Sequence, residues 1–176
     1  MTEIEIPEFK FCLVDNCSEE FVPTRSEPNA TGYDCRSRIN LDVNHGDMFK
    51  IPLGFKMLCP VGWYAQLHPR SSSFMKKDII PLIGIIDQDF NGEVCFVGRF
   101  FSKNWNYVEQ TNSFLDGEVS HESLMLQINI GDKIAQLVPE KVKPMKTGII
   151  SLEDYEKELK ARNAIRNGGF GSTGAR

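Results

Sequence analysis

The sequence predicts an all-β protein, a β-sandwich or barrel, followed by one short C-terminal helix and a flexible glycine-rich tail. Most of the 176 residues fall into short apolar runs separated by turn residues, and many short strands with regularly spaced turns are typical of sandwiches and barrels. A clear helical spacing of apolar residues appears only after residue 150, and the last nine residues contain four glycines around one phenylalanine. These observations predict a β body, a helix and a tail, in that order.

Strand candidates lie at residues 9–14, 54–59, 63–67, 79–86, 94–97, 124–128 and 134–138. The Pro-Val-Gly sequence at 60–62 is a turn signal between the second and third of these runs. The isoleucine-rich run 79–86 ends at a polar turn over 87–92, where Asp, Asn and Gly favour chain reversal. No internal repeat is evident in the sequence.

The C-terminal helix is predicted from its start signal and its apolar stripe. Ser151 and Asp154 have the spacing of a capping box, with Asp154 in the place that Glu usually holds. Leu152, Tyr155 and Leu159 recur at helical spacing and form one apolar face. A second, shorter helix is predicted to begin at 71–73, with Phe74 and Met75 packed inward. The predicted organisation is a β domain over 1–150 with an insert at 102–123, a helix over 151–164 and a lid over 165–176.

Composition and charge narrow the function classes. The net charge of −4 gives no basic field that would attract nucleic acid, so local groups must hold any anionic ligand. Five cysteines without a paired CxxC spacing argue against a disulfide framework or a zinc site and predict buried, reduced thiols. No apolar run is long enough to span a membrane, and the first residues do not resemble a signal peptide. We therefore expect a cytoplasmic protein (in the host cytoplasm if the source is viral) without a membrane partner.

Two segments before the middle of the chain carry candidate chemistry, and each also has a plain structural interpretation. Asp34 follows a glycine turn at a strand start, where a carboxylate either ends the turn or holds a metal-bound water, because Mg²⁺ keeps several waters. Arg70, Ser71 and Ser72 stand where a strand ends and a helix begins. The serines either cap the helix or bind an anion together with the arginine fork.

Two later segments add a carboxylate and an amide. Asp87 directly follows an apolar strand, before the turn proper, so that a partly buried carboxylate there could act as general base toward water. The alternative is a polar turn without chemistry. Gln136 is a polar amide inside an apolar strand and must find hydrogen-bond partners if it is buried. The preceding Gly131 and Asp132 are most simply a turn.

The tail at 168–176 has the composition of a lid for a phosphate-bearing nucleotide. Its glycines allow backbone N–H groups to approach an anion closely. Phe170 offers a ring for stacking on a flat base, and Ser172 and Thr173 offer hydroxyls for phosphate oxygens. The alternative interpretation is a frayed chain end.

The order of these segments resembles the five motifs of the trimeric dUTPases (dUTP diphosphatases). The sequence has Ala-x-Gly-Tyr-Asp, Pro-Arg-Ser-Ser, Gly-Ile-Ile-Asp-x-Asp-Phe-x-Gly-Glu, Gly-Asp-Lys-Ile-Ala-Gln-Leu and Gly-Gly-Phe-Gly-Ser-Thr-Gly, at 30–34, 69–72, 84–93, 131–137 and 168–174. The resemblance implies a distorted β jelly roll that assembles as a homotrimer, with active sites shared between subunits. It also implies Mg²⁺-assisted hydrolysis of dUTP to dUMP and diphosphate, which limits uracil in DNA and supplies dUMP for thymidylate synthesis.

The resemblance also implies roles for individual residues. Asp87 would activate the water that attacks the α-phosphorus, and Asp34 would hold Mg²⁺ through water. The implied substrate-binding residues are Arg70, Ser71, Ser72, Phe90, Gln136, Arg166, Phe170, Gly171, Ser172 and Thr173. Among these, Phe170 would stack on uracil, which the backbone around 80–90 would read.

The sequence departs from the family pattern in several places. Phe90 stands where the family usually has Tyr, so that the ring can pack under deoxyribose but any contact from a phenol oxygen is lost. The family's tail arginine usually lies five residues before the phenylalanine, a place held here by Ile165, with Arg166 one step closer. Pro, Leu and Ile at 81–83 replace smaller or polar residues.

The insert at 102–123 lengthens the interval between the third and fourth motifs. It is polar, with Trp105, Tyr107 and Phe114 as anchors, and is interpreted as a long loop or extra hairpin. It offers an extra subunit contact, an arm for a protein partner, or only a loop. A binding module with hydrolysis secondary or lost is therefore one alternative function. The other alternative, a dCTP deaminase, lacks its catalytic glutamate, because Val97 holds that place.

Overall fold

The computed structural model describes residues 6–103 and 124–162 of the chain. It divides the chain into two compact units, Met1–Val142 and Lys143–Arg176. The predicted boundaries of β domain, helix and lid stay a prediction. Most of the insert, and the tail residues Arg166, Phe170, Gly171, Ser172 and Thr173, lie outside the described residues. Among the described residues no helix is long and apolar enough to cross a membrane.

The first unit is built from short antiparallel strands. The strands are β1 (Lys10–Leu13), β2 (Tyr33–Arg36), β3 (Leu41–Asn44), β4 (Met48–Pro52), β5 (Phe55–Leu58), β6 (Trp63–Pro69), β7 (Ile79–Pro81), β8 (Gly84–Ile86), β9 (Cys95–Phe100), β10 (Met125–Ile128) and β11 (Lys133–Lys141). They form sheets with the orders β1-β5, β10-β3, β2-β11-β6-β8 and β4-β9-β7. A 3-10 turn (Glu19–Phe21) and helix α1 (Ser71–Met75) interrupt the strands.

One hydrophobic core fills the space between the sheets. Alternate residues of the strands face it, as in β4, where Phe49 and Ile51 are buried while Met48 and Lys50 are exposed. The largest fully buried side chains are Phe55, Phe96, Ile51, Leu53, Leu67, Ile79, Ile128 and Ile134. The all-β jelly-roll prediction is confirmed, and no closed barrel forms among the described strands.

Every strand candidate from the sequence contains a strand, but one candidate contains two strands instead of one. The apolar run 79–86 is two strands, because β7 pairs with β9 whereas β8 pairs with β6 in another sheet. The segment 39–52 was not predicted as strand, although both β3 and β4 lie there. Its polar residues at 44–47 belong to the turn between them, where the Asp47 N–H donates to the Asn44 carbonyl at 3.1 Å.

Both predicted helices are present, with one correction. Helix α2 (Leu152–Ala161) starts at Ser151, whose hydroxyl accepts the Asp154 N–H at 3.1 Å, as its capping sequence predicts. Helix α1 begins at Ser71, but Phe74 and Met75 do not pack inward, since they are 62% and 72% exposed. The inward residue is instead Ser73.

The five cysteines carry free thiols. Cys35 is buried in the core as predicted, but Cys12 is exposed and the other three are half-buried, so the expectation of buried thiols was wrong for most of them.

Candidate active site

Asp34, Arg70 and Lys133, from the first, second and fourth sequence motifs, form a cluster together with Ser26, which we call the Asp34 cluster. Asp34 is buried in β2, and its Oδ1 lies 3.0 Å from Arg70 Nε. Its Oδ2 lies 2.9 Å from Lys133 Nζ and also accepts the Ser26 hydroxyl. Lys133 Nζ also donates to Ser26 Oγ at 2.9 Å, so that the lysine, the serine and the carboxylate oxygen are joined pairwise by hydrogen bonds.

The cluster favours the ionised form of its carboxylate. Burial raises the pKa of Asp34, but hydrogen bonds from Ser26 and Lys133 and the charge of Arg70 lower it more, so the net shift is downward. The two cations and one carboxylate carry one net positive charge. The cluster is therefore suited to an anionic ligand.

Gln136 enters the same cluster through the strand register. On β11 it pairs with Asp34 of β2 on one side and with His68 of β6 on the other, so that the three side chains share one face. Its Nε2 donates to the Pro69 carbonyl at 3.1 Å. Gly32 makes room for the amide, because a Cβ on Gly32 would lie 2.3 Å from Gln136 Oε1.

Helix α1 gives each of its three serines a different environment. Arg70 is the N-cap residue, Ser71 is exposed and Ser72 is half-buried. Ser73 is buried and donates its hydroxyl to the Ile134 carbonyl at 2.9 Å. Ser73 therefore anchors the helix, while Ser71 and Ser72 stay beside Arg70.

The Asp87 pocket is a second polar site, at the other end of the same sheet. Asp87 follows β8 and lines an open pocket of about 460 Å³ with Trp63, Tyr64 and Gln88, among others. The prediction of a partly buried Asp87 was wrong for this chain taken singly, because the residue is exposed. It lies after the strand ends, where a turn begins, with Phe90 N–H donating to the Asp87 carbonyl at 3.2 Å.

Phe90 folds over its own turn. Its ring is 39% exposed, and a Cβ on Gly92 would lie 2.7 Å from ring atom Cζ, so Gly92 is needed for this packing. The turn is fastened by Glu93, which forms a paired ionic contact with Arg38 at 2.6 and 2.9 Å and accepts the Gly54 N–H at 3.0 Å. The ring therefore has a defined place on its own turn, and it lines a different pocket from the one that Asp87 lines.

A single chain keeps the two sites apart. Asp34, Gln136 and His68 lie in one row across β2, β11 and β6, whereas Asp87 follows Ile86, which pairs with Ala65 three residues earlier on β6. With strands about 4.8 Å apart and a rise of about 3.3 Å per residue, the Cα atoms of Asp34 and Asp87 are about 20 Å apart. One small substrate group cannot touch both carboxylates of one chain.

Sequence reasoning did not single out Ser26 and Lys133. Ser26 lies in a loop outside every motif, and nothing in its neighbourhood signals a contact with Asp34. Lys133 lies within a recognised motif, but regular strand alternation would place it on the opposite face from Gln136. The structure breaks that alternation with a β-bulge.

Together, the fold and the two sites are typical of an all-β enzyme that acts on an anionic substrate. The dUTPase family model matches residues 19–109. The chain is 31% identical over 155 residues to the deoxyuridine 5′-triphosphate nucleotidohydrolase of Kluyveromyces lactis, covering 87% of this chain and 86% of that protein. It is 29% identical over 165 residues to that of Arabidopsis thaliana, covering 93% and 83%.

The fold agrees with these relatives. A mutant dUTPase from phage phi11 of S. aureus, solved to describe the coordination of a structural Mg(II) ion, superposes with a TM-score of 0.66 at 22% identity, covering 83% of this chain and 99% of that one. The chain belongs to the dUTPase family, and it is an enzyme of that family.

Proposed function

We propose that this chain hydrolyses dUTP to dUMP and diphosphate, with Mg²⁺, through water activated by Asp87. The supporting observation is the Asp34 cluster, in which a buried carboxylate, two cations and the Gln136 amide face one side of a sheet. The family relationship supplies the substrate, since the relatives carry the name deoxyuridine 5′-triphosphate nucleotidohydrolase. In a cell this activity would limit uracil in DNA and supply dUMP for thymidylate synthesis.

Asp87 is the proposed general base. It stands at a strand end in an open pocket, where a carboxylate can accept a proton from water while the adjacent strand fixes its position. Phe90 would pack under the deoxyribose and exclude a 2′-hydroxyl. The backbone around 80–90 would read the uracil edge.

The phosphates are assigned to the Asp34 cluster. Arg70 uses Nε on Asp34 and Nη1 on the Lys133 carbonyl, and its Nη2 would donate to phosphate oxygens. Ser71 and Ser72 lie next to it, and Gln136 would contact the α-phosphate region or the attacking water. Preorganised donors of this kind stabilise charge that develops on oxygen, and each is worth about 10²–10³ in rate.

Asp34 suits a contact with Mg²⁺ through water. A carboxylate offers about four lone-pair sites, and Ser26, Lys133 and Arg70 take three of them. The remaining site suits a hydrogen bond from a metal-bound water rather than direct ligation, because Mg²⁺ keeps several waters. The bound ion would neutralise charge on the triphosphate oxygens.

A homotrimer with shared sites would bring the two parts together. Because Asp34 and Asp87 of one chain are about 20 Å apart along the sheet, the Asp87 pocket of one subunit would complete the Asp34 cluster of another. An apolar surface is available for the contact. Its members, each more than half exposed, are Phe74, Met75, Ile80, Leu82, Ile83 and Ile85. Exposed apolar side chains that form a contiguous patch are typical of an interface, and these residues are the proposed members of the subunit contact.

The tail is assigned to substrate closure. Phe170 would stack on uracil, Gly171 would let the backbone approach the ligand, and Ser172 and Thr173 would bind the γ-phosphate. Arg166 would reach the same phosphate in place of the usual family arginine. An aromatic lid that closes over a bound nucleotide would exclude water from the reacting phosphates.

A diphosphate-release assay with Mg²⁺ tests the proposal. We expect rapid release from dUTP and slow release from dCTP, dTTP and UTP, without ammonia. Equal rates with all four nucleotides would contradict the assignment of uracil and deoxyribose recognition, and no release from dUTP would contradict the function. Ammonia release from dCTP would favour deamination instead, although Val97, paired with Lys50 between β9 and β4, offers no carboxylate for it.

A further inference from the structure

We propose that Lys133 is a positioning residue of the active site, which fixes the Asp34 carboxylate for the Mg²⁺-bound triphosphate. This inference rests on the proposed function, because it adds a residue to the same site. The sequence analysis assigns Lys133 no role.

The contacts of Lys133 restrict the carboxylate to one orientation. Its Nζ is 2.9 Å from Asp34 Oδ2 and 2.9 Å from Ser26 Oγ, and Ser26 donates to the same Oδ2. Arg70 Nε holds the other oxygen at 3.0 Å. Rotation of the carboxylate would break charge-assisted hydrogen bonds on both oxygens, so its free lone pair keeps one direction.

A β-bulge explains how Lys133 reaches this face. Gln136 and Asp34 pair and therefore share a face, and regular alternation would send Lys133, three residues before Gln136, to the other face. The register with β2 shifts between Lys133 and Ala135, so that Lys133 pairs with Arg36, which shares the face of Asp34. Bulges commonly re-aim a side chain next to an active site.

The bulge is held in place by the second motif. Ser73 donates its buried hydroxyl to the Ile134 carbonyl at 2.9 Å, and Arg70 Nη1 donates to the Lys133 carbonyl at 3.4 Å. Ile134 and Ala135 are consequently buried in succession, which a regular strand with one polar face would not allow. The irregular backbone is therefore fastened by the segment that also supplies Arg70.

The number of cations beside Asp34 distinguishes a positioning role for Lys133 from a purely structural one. One buried carboxylate needs one cation as its partner, and Arg70 already supplies it. The second cation leaves the cluster with one net positive charge, which a triphosphate with its metal ion can use. Loss of Lys133 should therefore weaken Mg²⁺-dependent ligand binding more than it weakens the fold.

The test compares Lys133→Met with Lys133→Arg and with Lys77→Met as a matched control. Lys77 forms an ion pair with Asp132 at 3.1 Å, and its side chain is 31% exposed against 30% for Lys133, but it does not contact Asp34. The measurements are kcat and KM for dUTP, the thermal midpoint, and the Mg²⁺ concentration for half-maximal binding of a non-hydrolysable imido analogue of dUTP.

We expect Lys133→Met to lower kcat/KM about 10- to 100-fold and to raise the Mg²⁺ requirement for analogue binding, as for other outer-shell partners of metal sites. Lys133→Arg should recover most of the loss, and Lys77→Met should change neither quantity by more than about twofold at a similar thermal midpoint. Equal effects of Lys133→Met and Lys77→Met would overturn the positioning role.

Two further outcomes can be distinguished from a failure of the Lys133 proposal. If Lys133→Met does not fold, Lys133→Gln replaces it as a polar change at the same position, and an unchanged Mg²⁺ requirement in Lys133→Gln overturns the proposal. If the wild-type protein does not hydrolyse dUTP, the proposed function fails, while analogue binding by the wild type and Lys133→Met still decides the role of Lys133.

Discussion

The Asp34 cluster and the Asp87 pocket differ in how much of their geometry one chain supplies. Asp34 is buried and held by Ser26, Arg70 and Lys133 from three different segments. Asp87 is exposed at the edge of an open pocket, and the fastening of its turn comes from Glu93, outside the pocket.

From this difference we propose a separate task for each region. A preorganised cluster with fixed charges can bind phosphates and metal before any other part arrives. A general base has to meet a water molecule and a phosphorus atom, and an exposed carboxylate can do so only when another surface excludes bulk water. We infer that subunit assembly matters much more for the Asp87 pocket than for the Asp34 cluster.

The largest expected effect comes from Asp87→Asn. If Asp87 serves only as the base, the variant should lose about 10²–10⁴ in kcat. It should bind the imido analogue of dUTP with nearly unchanged affinity, because the proposed function assigns the phosphates to the Asp34 cluster. Single-turnover kinetics and calorimetric titration measure the two quantities.

Asp89→Asn is the control for this change. Asp89 lines the same pocket two residues further along the turn, and the variant should keep most of the wild-type rate. Near-normal turnover in Asp87→Asn would remove the distinction between a binding cluster and a catalytic pocket.

A smaller effect is expected from Gly32→Ala, which perturbs the Asp34 cluster without changing a charge. The added Cβ would lie 2.3 Å from Gln136 Oε1, the mobile end of a side chain, so that the amide must move while the strands keep their register. We expect kcat/KM to fall about 10²-fold, because a misplacement near 1 Å costs about that much. Urea unfolding should show a loss below about 1 kcal/mol.

The control for Gly32→Ala is Gly148→Ala, where nothing lies within 4 Å of an added Cβ. If Gly32→Ala retains full activity, Gln136 does not need its present orientation, and the preorganisation of the cluster is overestimated. A large loss of stability would instead mean that Gly32 supports the fold.

The sequence predicted most of the strands and the main residues of both polar sites. It did not predict where the chain passes from one sheet to another, or which local side chains hold the Asp34 carboxylate. Periodicity was sufficient for β1, β5, β6 and β11, whose apolar runs are bounded by turn residues. It failed at 79–86, because a continuous apolar run contains no signal for the point where the chain leaves one sheet for another.

The motif residues were predictable, whereas their local partners were not. Asp34, Arg70 and Gln136, each singled out from its motif, lie close together in one chain. The contact of Ser26 depends on the path of a loop, and the contact of Lys133 depends on a one-residue bulge. Neither feature can be predicted from the spacing of residue types. The exposure of Phe74 and Met75 likewise contradicts the prediction that they pack inward.

The smallest expected effect concerns the anchor of the Asp87 pocket, Glu93. Burial raises the pKa of Glu93, but hydrogen bonds from Arg38 and the Gly54 N–H lower it more, so its pKa in the folded protein is below the ordinary value. Such a carboxylate contributes stability above its unfolded pKa and loses that contribution as the pH falls through its folded pKa.

Glu93→Gln should therefore reduce the free energy of unfolding at neutral pH by about 1 kcal/mol and flatten its decline toward acid pH, as measured by urea unfolding at a series of pH values. Part of the decline should persist, because the pKa of Asp34 is lowered as well. Glu8→Gln removes the carboxylate of an exposed ion pair with Lys10 and should leave the curve unchanged. If Glu93→Gln and Glu8→Gln give the same curve, the ion pair with Arg38 does not fasten the turn, and the Asp87 pocket depends on its neighbours even for its own backbone.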